Sequence, residues 1–366
     1  MAATQYRILF SDLLTGVINA EIPVTNVALT RQINSAGTAS MSVLISDANS
    51  YEYNIVNATQ PGRTQVWIDR NGSLVFGGIV WNRVYNSRDQ HIQITAQEFE
   101  SYFAHRYITT TQVFNNVDVF TIVQTLINQA QSVTGGNIGV IVPTTTSGVT
   151  ATKTYYSYEL KSVLSAIQDL AKANNSFDFA ISYAYDGGGN PTKTLALGSP
   201  RLGTAYSSSS LTAPVLEFPS GNILEYEYPE DGTLAANSVY AIGAGSNEGK
   251  LIASSVSTSQ LTAGWPLLEA TSNYTDINDS TLLSNLSAGQ LKAVSSPPVT
   301  MKVVLNPSVD PVYGSTYNIG DDVRVRILDD RFPNGIDTTY RIMALSLQAG
   351  EAGPERVTLT LTVPQV

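Results

Sequence analysis

The sequence contains no cysteine, which rules out a disulfide framework and any thiolate metal site. Histidine is almost as scarce. The two residues, His91 and His105, have no partner at ligand spacing, and no His-Glu-x-x-His motif exists to hold a catalytic zinc. Both are expected in structural or surface roles. Charge is thin as well: 14% of residues are ionic, where about 25% is usual for soluble domains. With 20 Lys+Arg against 30 Asp+Glu the net charge is −10, and no window gathers the basic residues that stable nucleic-acid binding requires. An acidic wall would instead hold a polyanion off over about 8 Å at physiological salt. No apolar stretch approaches the roughly 20 residues needed to span a bilayer. Met1-Ala2-Ala3-Thr4-Gln5 is not the basic opening of a secretory signal, so no membrane anchor is expected. What fills the chain is 43% hydrophobic residues and a polar complement rich in serine, threonine and asparagine. Its 366 residues are enough for two or three domains.

The pattern from Tyr6 to about Phe103 is strand after strand. Val27, Leu29 and Ile33 alternate with polar residues, Asn34-Ser35-Ala36-Gly37 turns the chain, and Ala39, Met41, Val43 and Ile45 alternate again, predicting a hairpin with one buried face. Asn71-Gly72 is a second hairpin signal, since both residues tolerate positive φ. The period then changes. Val117, Phe120, Val123, Leu126, Ile127 and Ala130 predict a helix capped by Asn116 and ended before Gly135-Gly136. A second helix is expected with Ser157 as its cap, Glu159 in its first turn, Leu160, Val163, Leu164, Ile167 and Leu170 on one face, and Asn174-Asn175 as its stop. Phe177 to Tyr183 and Lys193 to Leu197 read as a hairpin around Asp186-Gly187-Gly188-Gly189-Asn190, and Ser207 to Ser210 as a linker. Strands return after Leu216. Ser238–Ile242 and Lys250–Val256 should pair, a third helix should cover Ser280–Val294, and Ser296-Pro297-Pro298 should end it. The fold class expected is mainly β with an α+β insertion, divided as a first β-barrel or sandwich over 1–107, an insertion with two helices over 108–212, and a second β domain over 213–366 with a helix near 280–294.

Few residues invite a chemical reading. Gly243-Ala244-Gly245-Ser246-Asn247-Glu248-Gly249 has the wrong glycine spacing and no following helix for a phosphate loop, and reads as a hairpin loop. Glu225 and Glu227 share one strand face, with Tyr226 and Tyr228 on the other. A glycosidase pairs carboxylates across the scissile bond, but solvent-facing glutamates produce the same alternation. Asp321-Asp322 and Asp329-Asp330 lack the spacing of a calcium loop and read as strand ends and turns. Trp67, Trp81 and Trp265 suit a sugar platform or, by default, core and interface packing. Asn71-Gly72-Ser73 matches a glycosylation sequon that so Asn/Ser/Thr-rich a chain produces by chance. No Gly-x-Ser-x-Gly elbow is present.

One module occurs twice in the sequence pattern. Gly62 leads into Gln65-Val66-Trp67-Ile68-Asp69, a turn at Arg70-Asn71-Gly72, a strand from Leu74 to Val84, and His91-Ile92-Gln93-Ile94-Thr95. Gly320 leads into Val323-Arg324-Val325-Arg326-Ile327, a turn at Pro333-Asn334-Gly335, Tyr340-Arg341-Ile342, and Val357-Thr358-Leu359-Thr360-Leu361-Thr362. The second copy, from Tyr317 onward, resembles the closing segment of minor tail proteins that form the baseplate hub of long-tailed phages, with actinobacterial siphophages as the nearest type. Gly77-Gly78-Ile79-Val80, Ala166-Ile167-Gln168-Asp169-Leu170-Ala171 and Asn237-Ser238-Val239-Tyr240-Ala241-Ile242-Gly243-Ala244-Gly245 fit the same family.

The resemblance implies a hub fold shared with contractile-tail baseplates and type VI secretion spikes. It implies two tube-like β units per chain, a homotrimer presenting six such units to a six-fold tail tube, and helical segments that decorate the outside and keep the two units apart. It carries no catalytic, cofactor-binding or metal-binding residue onto this chain, so no enzyme activity and no cofactor are expected. The implied place is the distal tip of a virion tail. The implied partners are the distal tail ring protein, the C-terminus of the tape measure protein, and a central fibre or other minor tail proteins, with DNA passing through unbound. Because the sequence ends soon after the second module, any wall-cutting or receptor-binding activity is expected on those partners. The alternatives are a carbohydrate-binding host-recognition protein and a peptidoglycan hydrolase using Glu225 or Glu227.

Overall fold

A computed structural model describes residues 4–45, 52–173, 177–206, 212–295, 300–349 and 355–363. The expected linker at Ser207 to Ser210, the helix stop at Asn174-Asn175 and the stop at Ser296-Pro297-Pro298 lie outside them. The first β unit comprises β1 (Tyr6–Asp12), β2 (Ile18–Glu21), β3 (Thr25–Gln32), β4 (Thr38–Leu44), a short α1 (Ile55–Ala58), β5 (Thr64–Arg70), β6 (Ser73–Asn86) and β7 (His91–Glu98). Helix α2 (Glu100–Ala104) leads into a mixed segment of β8 (Gln112–Asp118), α3 (Val119–Ser132), β9 (Val140–Ile141), β10 (Thr150–Tyr155), α4 (Val163–Ala171), β11 (Asp178–Tyr185) and β12 (Pro191–Gly198). The second β unit has β13 (Val215–Phe218) and β14 (Ile223–Glu227). It is interrupted by a small mixed sheet and its helices: β15 (Ser238–Ile242), β16 (Ile252–Val256), α5 (Thr258–Thr262), β17 (Glu269–Asn273) and α6 (Ser280–Val294). It resumes with β18 (Met301–Leu305), β19 (Asp322–Ile327), β20 (Ile336–Ala349) and β21 (Arg356–Thr362).

The hairpins fall where the turn residues put them. Asn71 and Gly72 both take positive φ, 55° and 85°, between β5 and β6. The two helices of the insertion start later than expected. Asn116 sits at positive φ beside an irregularity in the β8–β10 ladder, so it is not the cap. Asp118 is, accepting from Phe120 N at 2.9 Å while also holding Ser147 and Gly148. Val117 therefore belongs to a strand. Similarly, Ser157 opens only a single 3₁₀ turn, which Leu160 ends at φ 44°, exposed to solvent. The α-helix begins at Val163, capped by Ser162, whose Oγ accepts from Ser165 N at 3.2 Å. Helix α6 matches the expected Ser280–Val294 and is capped by Asp279.

Among the described residues thirteen strands form one sheet, and its path is β14-β18-β21-β20-β3-β4-β7-β6-β5-β1-β2, with β13 and β19 attached to β20. The two β units are thus not held apart by the helical segments: β20 pairs directly with β3, Leu347 facing Leu29. One core follows from this pairing, running from Phe10, Met41, Val66, Phe76 and Ile94 to Val303, Val325, Leu347 and Leu359. A second core lies on the other side of β1, β5 and β6. Because alternate residues of a strand face opposite ways, Leu9, Trp67 and Ile79 point into it and meet Phe99, Phe120, Ile167 and Phe179 of the insertion. The Gly77-Gly78 pair makes this crossing possible. A Cβ on Gly77 would stand 2.6 Å from the Trp67 ring, and one on Gly78 would stand 2.3 Å from the Gln97 carbonyl oxygen. The β15–β17 sheet and α6 have a smaller core of Ala241, Tyr274, Ile277, Leu283 and Leu286.

The duplicated module is real in three dimensions. In each unit a six-residue or seven-residue strand, a 14-residue strand and a seven-residue or eight-residue strand form an antiparallel meander, β5-β6-β7 and β19-β20-β21. Each long strand carries an irregularity at the matching place, between Val80 and Asn82 opposite β7 and between Ile342 and Ala344 opposite β21. Each is followed by an equivalent neighbour, β4 beside β7 and β18 beside β21, then β3 and β14. The leading glycines correspond too: Gly62 N donates to Val80 O and Gly320 N to Ile342 O, both at 2.8 Å. The copies differ at the start, where β1 is antiparallel to β5 but β13 is parallel to β19.

Candidate assembly site

No described strand, helix or loop brings the sequence's chemical candidates into one cleft. Glu225 and Glu227 are exposed on β14 and each meets a cation, Arg356 at 2.9 Å and Lys302 at 3.4 Å, while Tyr226 and Tyr228 turn inward against Phe332. Asp322 is buried against Arg201 at 2.6 Å, and Asp321 accepts from the backbone of Asn318 and Thr204. Asp329 accepts from Arg331 N, Phe332 N and the Tyr226 hydroxyl. These are turn and strand-end roles. Among the described residues no three His, Asp or Glu side chains gather as a metal site, and no helix is long and apolar enough to cross a membrane. His91 Nδ1 donates to Asp89 O at 2.6 Å, and His105 stacks on Trp81 with ring centroids 4.6 Å apart. Trp67 is buried and Trp81 half-buried, which leaves Trp265 with an exposed ring. Gly243 to Gly249 is the loop between β15 and β16, with one 3₁₀ turn at Asn247–Gly249.

What the fold does assemble is a surface. On β3, β4, β7, β20 and β21 one side of every strand is core, and the other carries Thr30, Thr38, Ser40, Ser42, Gln93, Thr95, Gln97, Ser346, Gln348, Thr358, Thr360 and Thr362. The outward face is therefore mostly hydroxyl and amide, with Ala28, Leu44, His91, Ala344 and Arg356 among them. At its β14–β18–β21 end its charges occur as the Glu225–Arg356 and Glu227–Lys302 pairs. The composition predicted a weakly charged, Ser/Thr/Asn-rich surface, and the register gathers its most uniform part on one continuous sheet face.

The other polar feature is buried, where β3, β7 and α2 meet the insertion. Arg31 Nε donates to Glu98 Oε1 at 2.7 Å, and its Nη2 donates to Ile181 O at 2.7 Å. The second Glu98 oxygen accepts from Gly37 N at 2.7 Å, and the Tyr183 hydroxyl donates to the first at 2.9 Å. Glu100 lies beside them, accepting from Ile181 N at 2.7 Å through Oε1, while its buried Oε2 has no partner among the described residues. Burial first, and then the charge of Glu98, push Glu100 up to about 8. Nearby, burial pulls Lys193 down to about 7; its ammonium lies 4.0 Å from the Phe99 ring centroid. Further clamps tie the insertion to the second unit, through Arg341 on Asp178, and to the small sheet through Asp276. Against its own burial, the Lys153 and Lys161 ammonium groups, at 2.9 and 2.7 Å, bring Asp276 down to about 2.

A pH dependence follows for Glu100. In the unfolded chain it releases its proton near 4.5, whereas in the folded protein it keeps it to about 8. Its contribution is thus fully present below pH 4.5 and is lost as pH rises toward 8. Lys193 acts oppositely, its contribution being lost as pH falls through about 7. Glu100→Gln, which retains the acceptor for Ile181 N, is expected to match the wild type near pH 4.5 and to become the more stable protein as pH rises to 8. Urea melts at both pH values check this, and parallel wild-type and variant profiles would contradict it.

No protein-family model matches the sequence, and no curated protein matches it either. Solved structures do. The chain superimposes on a tail protein from Neisseria meningitidis MC58 with a TM-score of 0.62 at 11% identity, over 98% of this chain and 96% of that one. It superimposes on a 43 kDa tail protein of prophage MuSo2 from Shewanella oneidensis with a TM-score of 0.61 at 14% identity, over 98% and 99%. It also matches a chain of a Francisella PdpA-VgrG complex, with a TM-score of 0.54 at 6% identity, over 99% of this chain and 59% of that one. At these identities the likeness is one of fold. The fold is that of phage tail proteins, mainly β with a few helices, as the resemblance implied.

Proposed function

We propose that this protein is a structural, non-enzymatic component of a phage tail tip, three copies of which form a hub ring. Two equivalent β units per chain would present six similar surfaces, the number a six-fold tube offers, and the ring would join the tube above to a central fibre or other minor tail proteins below. The distal tail ring protein and the end of the tape measure protein are its proposed neighbours. The observation that carries the reading is the internal duplication on a tail-protein fold, register by register through the matched irregularities of β6 and β20.

In this reading the hydroxyl and amide face of the sheet lines the channel. DNA would then meet a wall with few free charges, in place of the acidic wall that the net charge of −10 pointed to. Either wall lacks the cations that would hold a phosphate backbone. Native mass measurement of the purified chain, alone and with its neighbouring tail proteins, tests the ring. The expected species is a trimer, and a monomer under every condition would overturn the reading.

A further inference from the structure

The duplication leaves one contact without its counterpart. In the path β14-β18-β21-β20-β3-β4-β7-β6, the C-terminal half of β20 has two neighbours, β21 and β3. Among the described residues the C-terminal half of β6 has only β7, because β5 reaches no further than Ile79. At the other end β14 has β18 on one side and no described strand on the other. The two free edges are the counterparts of the two strands that pair inside the chain, β6 of β20 and β14 of β3. We infer that they pair between copies: β6 of one chain takes β14 of the next as an antiparallel neighbour, as β20 takes β3. This contact rests on the ring reading above and specifies how that ring closes.

The register follows from the ladders. Asn82 stands opposite Thr95 as Ala344 stands opposite Thr360, which makes Arg83, Tyr85 and Asn86 the counterparts of Leu345, Leu347 and Gln348. Ala28 stands opposite Ser40 and Glu227 opposite Lys302, and Ser40 and Lys302 lie beside those same threonines. Glu227, Tyr228 and Glu230 are therefore the counterparts of Ala28, Leu29 and Arg31. Within the chain Leu347 faces Leu29, Gln348 faces Ala28 and Leu345 faces Arg31. Between copies Tyr85 then faces Tyr228, Asn86 faces Glu227 and Arg83 faces Glu230.

Three observations agree with this register. Leu347 is 0% exposed, whereas its counterpart Tyr85 on the open edge is 54% exposed. A neighbouring strand would cover it, with one tyrosine ring against another as cross-strand aromatic pairs prefer. Arg83 and Glu230 have opposite charge, and their partners within the chain, Val56 O and Thr59 Oγ1 for Arg83 and Arg331 for Glu230, would share them with the new contact. Pro229, which cannot donate to a ladder, stands where Thr30 does. Ile33 N bonds to Met343 O, so the paired N–H groups on β3 alternate through residues 31 and 29 and Thr30 is turned away from β20. The proline falls where no donor is needed.

The absence of native cysteine makes the test clean. Asn86 and Glu227 would form a non-hydrogen-bonded pair with Cα atoms about 4.5 Å apart, inside the disulfide range of about 4.4–6.8 Å. Under mild oxidation the Asn86→Cys/Glu227→Cys double variant is expected to give covalent dimers and a closed covalent trimer with no longer ladder. An equal mixture of the two single variants should give one cross-linked dimer and no trimer. Both positions are exposed, and far-UV circular dichroism checks that the variants fold. A trimer by native mass with no cross-link, or equal cross-linking in the two-residue-shifted pair Asn86→Cys/Glu225→Cys, overturns the strand pairing and leaves the ring standing. A monomer in every condition overturns both.

Discussion

Arg31→Ala is expected to destabilise the protein by about 3–5 kcal/mol, the cost of removing one partner of a buried ion pair. The argument is one of stranded charge. Glu98 is 1% exposed and Glu100 3% exposed, and Arg31 is the cation held against them at 2.7 Å, its guanidinium lying 4.7 Å from the Tyr183 ring centroid. Without it Glu98 keeps the Gly37 amide and the Tyr183 hydroxyl, but among the described residues no other cation pairs with it. Glu98→Gln in the Arg31→Ala background should recover part of the loss, since an amide oxygen still accepts from Gly37 N. Equilibrium urea unfolding of the four proteins measures the coupling. Additive effects would show that the pair does not act as a unit.

Trp67→Ala is expected to cost about 3–5 kcal/mol, the range for deleting a large buried ring. The indole is 1% exposed, donates to Ser11 Oγ at 3.1 Å, and lies 5.1 Å from Phe99 and 6.0 Å from Tyr183 between ring centroids. It is the main apolar bridge between the sheet and the insertion, so its loss should open residues 108–198 to proteolysis before the sheet unfolds. Gly77→Ala should be damaging in the wild type and less so in Trp67→Ala, because its methyl group would strike the Trp67 ring at 2.6 Å and the Phe99 ring at 2.9 Å, and only the first clash is removed. Limited trypsin digestion and urea melts of the double-mutant cycle check both statements.

Much of this fold was legible because strand alternation and turn chemistry are local. The Val27–Ile33 and Ala39–Ile45 alternation, Asn71-Gly72 and the Ser280–Val294 stripe each carried their own evidence, and the structure has them in place. The helix starts were misread for a local reason as well. Asn116 and Ser157 are good caps by type, but Asp118 and Ser162 stand within a few residues of them and alone have the backbone geometry that lets a side chain reach the helix amides. The non-local features had no sequence signal of their own. That β20 pairs with β3, uniting the two units, depends on edges more than 300 residues apart in sequence. The Arg31–Glu98–Tyr183 cluster joins three elements whose charged residues look ordinary one at a time. The duplication was visible although its glycine-to-valine spacing differs by one residue between the copies, and the hydrogen bonds of Gly62 and Gly320 to equivalent carbonyls show that the leading glycines correspond.

Glu225 and Glu227 were read as solvent-facing, and their pairing with Arg356 and Lys302 is a feature only the β14–β18–β21 order brings about. The hydroxyl and amide face was present as composition and became a surface only through register, since a shift of one residue along any strand would have sent it into the core.

A density map of an assembled tail tip containing this protein tests the central claim most directly. The account expects three copies around the tail axis, the Thr30–Thr95–Thr360 face turned toward the channel, and β6 of each copy beside β14 of the next. A map with this chain off the axis, or with that face turned outward, would contradict it.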